Sequence, residues 1–298
     1  MSVPRLVAVL PARPRLWSYL ELTKPDVSFL VVLTTLAGYY LGARGRLDLV
    51  GLAHALFGTL LVAAGTAALN HYLERASDAR MRRTAQRPLP VGALEPVEAL
   101  AFGLVLSVVG AVWLAAFCGA LSGGIAALTC ASYLGLYTPL KTRTTLATLV
   151  GAFPGAAPPL IGWAAARGQL DAGAWALYAI LFCWQFPHLL AIAWMYREDY
   201  ARAGIRMLPV VDRSGRATFR QVLGCALVLV PLGALPAWLG LAGNVYLVGG
   251  LAANLALVYF AAAAARVKSN ARARTLMHAT VVHIAVLYAL MMLDKLRQ

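Results

Sequence analysis

Nine long apolar runs within 298 residues, eight of them without a charged residue, leave this chain few folds to choose from. About 20 apolar residues in a helix cross the hydrocarbon core of a bilayer. Val27–Ala43, Leu49–Leu69, Val97–Phe117, Gly119–Tyr137, Thr144–Ala166, Ala172–Trp194, Gln221–Leu241, Asn244–Ala265 and Leu276–Leu293 suit that task. A buried helix in a large soluble protein would explain one such run but not nine. Only 13% of the residues are charged, against about 25% in soluble domains. A transmembrane barrel is the other way to satisfy a backbone in lipid, but its strands alternate apolar and polar residues over about ten positions. Ala99–Leu106 and Ala252–Ala265 are continuous instead. The expected fold is all-α, a polytopic membrane helical bundle of about nine transmembrane helices. Spans this closely spaced leave no room for a soluble domain, so 1–24 reads as a cytosolic N-terminal segment and 25–298 as a single transmembrane domain.

A formal net charge of +14 would suit nucleic acid, but its distribution points to membrane lipids as the partner and to no nucleic acid. With the N-terminus in the cytosol, segments on that side hold 21 of the 26 basic residues. Arg44, Arg46, Arg167, Lys295 and Arg297 fall outside. This is the positive-inside pattern, and an odd number of spans then puts the C-terminus outside. The first apolar run follows Pro25 and lacks a cleavage site, so it reads as a span rather than a removed signal peptide. Residues 1–15, with several Pro and Arg, are expected to be loosely ordered. Cys118, Cys130, Cys183 and Cys225 lie in spans without metal-ligand spacing and read as small apolar fillers. The pairs Gly38/Gly42, Gly119/Gly123 and Gly151/Gly155 would let helix backbones approach closely.

Two inner connections, Asn70–Glu95 and Met195–Arg220, are too long and too charged to be linkers. Ionisable groups at a membrane helix end are costly unless they face water, a partner or a cavity. Asn70, Glu74 and Asp78 are four apart and stack along one face of a helix. Three oxygen-bearing side chains suit Mg²⁺, which keeps several waters and also takes substrate phosphate oxygens. Arg83 and Arg87 follow, and could hold phosphate by directional charged bonds. The plainer reading is a solvated helix end laced with ion pairs.

The second loop leaves a helix reading Phe182-Cys-Trp-Gln185-Phe-Pro187-His188 and continues to Glu198, Asp199 and Tyr200. Pro187 should kink this span or expose carbonyls. Gln185 and His188 are polar groups inside hydrocarbon, satisfied by the bundle or by a ligand. Asp199 stands at the inner mouth, where it could face the first carboxylates. Between the two loops, Tyr137-Thr-Pro-Leu-Lys141-Thr-Arg143 lies on the same side. Lys141 and Arg143 either set topology or stabilise a departing diphosphate. Together these groups suggest a lipid diphosphate with its tail along the helices and its head at the inner mouth. Hydrolysis, phosphate transfer and prenyl transfer all fit.

Taken in order, the motifs resemble the intramembrane UbiA-type prenyltransferase superfamily and, within it, the protohaem IX farnesyltransferases (haem O synthases). The resemblance covers nearly the whole chain, Leu22 to Leu293. It rests first on Asn70, Glu74 and Asp78 with Arg87-Pro-Leu-Pro90, and next on Tyr137–Lys141 with Gly151–Gly155 and Pro158–Trp163. Trp184–His188 follows, then Asp199-Tyr200 with Ala203–Ile205 and Met207–Pro209. The resemblance implies helices around a central cavity open to the cytosolic side of a bacterial inner membrane. It implies Mg²⁺-dependent transfer of farnesyl from farnesyl diphosphate to a vinyl group of haem b, with addition of water, giving haem O and diphosphate. Haem b is then a substrate rather than a permanent cofactor, and haem A synthase or haem–copper oxidases are candidate assembly partners.

By the same resemblance Asn70, Glu74, Asp78 and Asp199 hold the metal and, with Lys141, carry catalysis. Arg83, Arg87 and Arg143 bind the diphosphate, while Gln185 and His188 belong to the haem side; His188 could ligate iron or bond a propionate. His71 adjoins the metal motif but points about 100° away from Asn70 on a helix. His54, His278 and His283 read as packing or surface groups. The chain departs from the family pattern at Thr142, where a basic residue is common, and at Ala147, where Asn is frequent. It departs again at Ala203, one turn after Asp199, where a second acid is usual. Glu198 would face elsewhere unless 197–204 is non-helical. Prenylation of a quinone precursor and non-catalytic haem delivery or transport are the alternatives. The Trp184–His188 and Ile205–Pro209 blocks favour haem, and the donors combined with arginines favour catalysis. A transporter would place broken helices near the midplane, whereas these carboxylates cluster at one surface.

Overall fold

The computed structural model describes residues 14–296. The expectations for residues 1–13, including Arg5 and Arg13, and for Arg297 lie outside the described residues. The chain opens with α1 (Arg15–Leu22), α2 (Pro25–Gly42), α3 (Leu49–Asp78) and α4 (Pro96–Cys118). Next come α5 (Ala120–Ser132), a π-helical turn (Tyr133–Tyr137), α6 (Thr138–Leu140), α7 (Ala147–Gly155) and α8 (Pro158–Arg167). α9 (Ala172–Met195), α10 (Arg197–Ala203), α11 (Leu208–Val211), α12 (Arg216–Leu232), α13 (Leu235–Trp238), α14 (Asn244–Val267) and α15 (Asn270–Leu293) complete it. Among the described residues nine segments are long and apolar enough to cross a membrane, in the order the apolar runs predict. The protein is a multi-pass membrane protein. Val105, Val108 and Val112 on α4 and Val248, Leu251 and Leu255 on α14 are exposed, an apolar surface that only lipid would cover. α1 differs: Leu16, Trp17 and Leu20 are exposed while Ser18 and Leu22 are buried, the pattern of a helix lying in the interface.

Helix starts follow local chemistry. Pro25, Pro96 and Pro158 occupy first-turn positions of α2, α4 and α8, where a missing N–H costs nothing. The Asp48 carboxylate accepts from the Val50 and Gly51 amides, both at 3.0 Å, and starts α3; Asp171 does the same for α9. The fifth span is interrupted between α7 and α8, because Pro158 supplies no amide to continue the first helix.

Close approach of small residues packs the first half. A Cβ on Gly38 would sit 2.2 Å from the Pro159 carbonyl oxygen, and one on Gly162 would sit 2.0 Å from that of Thr35. α2 and α8 therefore touch backbone to backbone, which is how membrane helices associate without a hydrophobic drive. Gly42 packs on Trp163, Gly123 on Ala115, Gly151 on Tyr137 and Gly155 on Gln185, as the small-residue pairs predict. Gly119 instead forms the turn between α4 and α5, at φ 94°. The largest apolar cluster joins α7, α8, α9, α12, α14 and α15 around Trp163, Leu177, Ile180, Phe219 and Tyr246.

Near the start of α3, away from its Asn70–Asp78 end, α2 and the residues after α15 are tied together. Lys295 Nζ donates to the carbonyls of Tyr40 (2.6 Å) and Ala43 (2.7 Å). The Asp294 carboxylate accepts from the Tyr246 amide at 2.7 Å, and Ala242 and Lys295 pair as an isolated bridge.

α3 runs on through the charged motif to Asp78, beyond the apolar run that ends at Leu69, as the stacking of Asn70, Glu74 and Asp78 requires. The connection from Met195 to Arg220 is helical in α10 and α11, and α10 leaves Glu198 exposed while Asp199 is buried, as a helix there implies. α9 is helical on both sides of Pro187, whose missing amide leaves a carbonyl of the preceding turn without its helical donor.

Candidate active site

The C-terminal end of α3 presents Asn70, Glu74 and Asp78, as their spacing requires, and each meets a basic side chain. Lys141 Nζ lies 2.6 Å from Glu74 Oε1. Arg87 Nη1 donates to both Asp78 oxygens, at 2.9 and 2.8 Å. Lys24 Nζ donates to Asn70 Oδ1 at 2.7 Å. Asn70 and Asp78 are almost wholly buried, so these are pairings inside the protein rather than solvated surface contacts.

Asp199 comes from the other motif and joins the same loop. Its carboxylate accepts from the Arg83 backbone amide at 3.3 Å and forms an ion pair with Arg202. Two further contacts hold the inner loops together. The Arg206 amide donates to the Lys141 carbonyl at 2.7 Å, and Met81 packs with Ala193, Ala203, Ile205 and Met207. The Ile205–Pro209 block therefore braces the site from beneath.

The π turn sets the third component. The Thr138 hydroxyl donates to the Tyr133 carbonyl at 3.0 Å and accepts from Asn70 Nδ2 at 3.5 Å. Tyr137 lies under the Lys141 ammonium, 4.4 Å from ring centroid to Nζ. π-bulges recur at functional sites because they re-aim side chains; here one places Thr138 on Asn70 and Lys141 on Glu74. Both lysines stand outside the spans. Burial opposes the charge of Lys141, but Tyr137, Glu74 and Tyr133 favour it by more and hold its pKa well above the ordinary lysine value. For Lys24, burial and then the Arg87 guanidinium lower the pKa from 10.5 to about 7.

The donors fit a hard cation that arrives with its own ligands. Among the described residues no three His, Cys, Asp or Glu side chains converge into a closed metal site. Mg²⁺ needs no such cage, since one or two carboxylates, waters and substrate phosphate oxygens complete its octahedron. Asn70, Glu74, Asp78 and Asp199 offer oxygen only, which excludes a zinc-type centre.

The other expected residues divide. The Arg83 guanidinium stacks 5.0 Å over the Tyr196 ring, at the rim. The Arg143 side chain is exposed, away from the buried pairs. Gln185 is buried, and its amide nitrogen donates to the carbonyls of Ala152 (3.1 Å) and Leu181 (3.2 Å), joining α7 to α9. His71 is buried with neither ring nitrogen hydrogen-bonded. His54 stacks on Phe117, His283 bonds Asn254, and His278 is exposed, in keeping with packing and surface roles.

His188 is poised differently. Its ring stacks on Trp184, and Nδ1 lies 2.8 Å from Thr280 Oγ1. The Thr280 hydroxyl already donates to the Met277 carbonyl at 2.5 Å, so toward His188 it accepts. The proton then sits on Nδ1, leaving Nε2 with its lone pair.

Fold and site together define an integral-membrane prenyltransferase: residues 31–287 match the UbiA prenyltransferase family, and the chain belongs to it. It is 49% identical over 286 residues to the protohaem IX farnesyltransferase of Solibacter usitatus (strain Ellin6076), covering 93% of this chain and 98% of that one. To the protohaem IX farnesyltransferase of Koribacter versatilis (strain Ellin345) it is 45% identical, covering 93% of each. Its fold resembles that of digeranylgeranylglyceryl phosphate synthase, with TM-score 0.77 at 19% identity over 94% of this chain and 98% of that one. A UbiA homologue from Archaeoglobus fulgidus bound to GPP and Mg²⁺ matches with TM-score 0.66 at 16% identity, over 92% and 99% of the two chains.

Sequence reasoning missed Lys24, Thr138, Arg202 and Thr280 as parts of the polar arrangement. Lys24 carried one signal, a lysine set directly before the first proline of a span. Thr280 carried none, because its partner lies 92 positions away.

Proposed function

We propose that this chain transfers the farnesyl group of farnesyl diphosphate to a vinyl group of haem b, with addition of water, giving haem O and diphosphate. The observation that carries this reading is the pairing of four oxygen donors with four basic side chains at one end of a membrane bundle. A site of that composition recognises a metal–diphosphate, and the relatives' activity supports farnesyl diphosphate and haem as the two substrates.

Mg²⁺, held through Asn70, Glu74, Asp78 and Asp199, would supply charge neutralisation to the leaving diphosphate. Arg87 and Lys141 stand beside those ligands and stabilise the same negative charge as it develops; Arg83 and Arg143 add positive potential at the rim. The allylic C–O bond breaks and its electron pair leaves with diphosphate. The vinyl π electrons then form the new C–C bond. Water captures the resulting carbocation next to the porphyrin ring and releases a proton.

His188 belongs to the haem side. A propionate would need an N–H donor, whereas Nε2 offers a lone pair, so iron is its partner. Residues 25–298 work as one transmembrane prenyltransferase domain. The site opens to the cytoplasm of a bacterial inner membrane, N-terminus inside and C-terminus outside, as the inner bias of the basic residues supports.

Purified protein is incubated in detergent with haem b, farnesyl diphosphate and Mg²⁺, and the products are read by mass spectrometry. Haem O should form, and should vanish in Asp78→Asn and without Mg²⁺. Prenylation of a quinone precursor with haem untouched would overturn the acceptor; no transfer to either would overturn the reaction.

A further inference from the structure

Each of the four oxygen donors is already engaged, and the four engagements are not equivalent. Glu74, Asp78 and Asp199 face Lys141, Arg87 and Arg202, so their charges cancel pairwise. Lys24 alone sits on a neutral group, the Asn70 carbonyl oxygen. That oxygen has a fixed direction: Thr138 accepts from the amide nitrogen, which turns Oδ1 toward Lys24. Lys24 is therefore the one basic group of the four without a paired carboxylate, and it covers the atom a metal ion would need.

The backbone around Lys24 is unusual as well. Its φ of 46° is one of two positive values at non-glycine positions among the described residues. A residue before proline normally avoids even the right-handed helical region, and the left-handed region is costly for any residue but glycine. Such a conformation persists where surrounding structure enforces it, and it concentrates at functional sites. Here the Lys24 amide donates to Glu21 and its carbonyl accepts from Ser28. The backbone is pinned at both ends, and only the side chain is free to change partner.

We infer that Lys24 is an exchange residue of the diphosphate site: it holds Asn70 while the site is empty and transfers to the diphosphate when metal and diphosphate arrive together. This rests on the metal–diphosphate reading above. A divalent ion alone must displace the Lys24 amine from Asn70 and then remain beside it, in a cluster whose three carboxylates are already paired. A diphosphate alone draws off Lys24 but meets three carboxylates. Arriving together, the anion takes Lys24 and the cation takes Asn70, so each ligand removes the obstacle to the other.

The test is calorimetry on the full-length protein in detergent with Mg²⁺ alone, inorganic pyrophosphate alone, and both, using free concentrations corrected for their complex in solution. The wild-type protein should show each ligand raising the affinity of the other by about tenfold or more, the range of ordinary site coupling. In Lys24→Met, Mg²⁺ alone should bind several-fold more tightly, pyrophosphate with Mg²⁺ about tenfold more weakly, and the coupling should nearly vanish. Lys24→Arg, which keeps the charge, should retain it. Unchanged binding of Mg²⁺ alone and unchanged coupling in Lys24→Met would overturn the inference while leaving the diphosphate site standing. Failure of wild-type protein to bind Mg²⁺ with pyrophosphate would overturn the site and the inference with it.

Discussion

Replacing Thr280 by valine isolates one proton. The two side chains have nearly the same shape, so packing in α15 is kept, and the Trp184 indole still donates to the residue 280 backbone carbonyl, 2.8 Å away. What disappears is the acceptor of His188 Nδ1–H. A buried donor left without a partner costs about 1–3 kcal/mol. The ring relieves that cost by moving its proton to Nε2 or by rotating, and either removes the lone pair from where iron would meet it. Loss of the hydrogen bond behind a ligating histidine typically lowers metal affinity about 10- to 100-fold, equivalent to roughly 1.4–2.8 kcal/mol. The Met277 carbonyl also lies against the ring and, freed of the threonine hydroxyl, partly replaces it, so the lower half of that range is expected. The assay is titration of purified protein with haem b, following the Soret band. Thr280→Val should weaken binding about tenfold and shift the band toward that of haem without an imidazole ligand; Thr280→Ser should behave as wild type. Equal affinity and an unchanged spectrum in Thr280→Val, or an unchanged spectrum in His188→Ala, would refute the tautomer argument and iron ligation together.

Other substitutions probe the frame. Gly162→Ala drives a methyl into the Thr35 carbonyl and should destabilise by about 1–3 kcal/mol. Gly224→Ala meets open space and should stabilise by about 0.5–1 kcal/mol; opposite shifts of the unfolding temperature in detergent check both. Lys141→Met strands the Glu74 carboxylate, a loss of about 3–5 kcal/mol for a buried pair. Adding Glu74→Gln should restore much of the melting temperature without restoring product. At Asp212, burial raises the carboxyl pKa, but bonds from Thr218, Ser214 and Ala217 outweigh it and hold the pKa below 3.8. Its contribution is thus complete above that value and fades as pH falls through the lower folded value. Asp212→Ala should melt about 2 °C lower at pH 7, with the gap to wild type closing only below about pH 4.

Where the chain repeated one physical rule, the structure was legible in advance. Span number and order follow from the length of hydrocarbon to be crossed, and the stacking of Asn70, Glu74 and Asp78 follows from helical geometry. Helix ends were less legible, since α3, α12 and α15 begin or end in polar residues that hydropathy discounts. Charge pairings across the chain were invisible. Nothing local says that Lys24 reaches Asn70, whereas Arg202 stands one turn after Asp199 and that pairing is readable from helical spacing. Gln185 was legible as a motif residue but not in its contacts: its amide nitrogen satisfies two backbone carbonyls beside a glycine too small to block it.

The knot that Lys295 ties to Tyr40 and Ala43 has a consequence for biogenesis. α2 enters the bilayer long before Lys295 is made, since Lys295 lies 252 positions beyond Ala43. The span therefore waits, inserted but unlatched, until α15 has followed it. The tie is then closed by a residue just beyond α15. A nascent chain arrested before α15 emerges should leave α2 open to protease or to cross-linking with insertion factors, and release of the final turn should end that exposure.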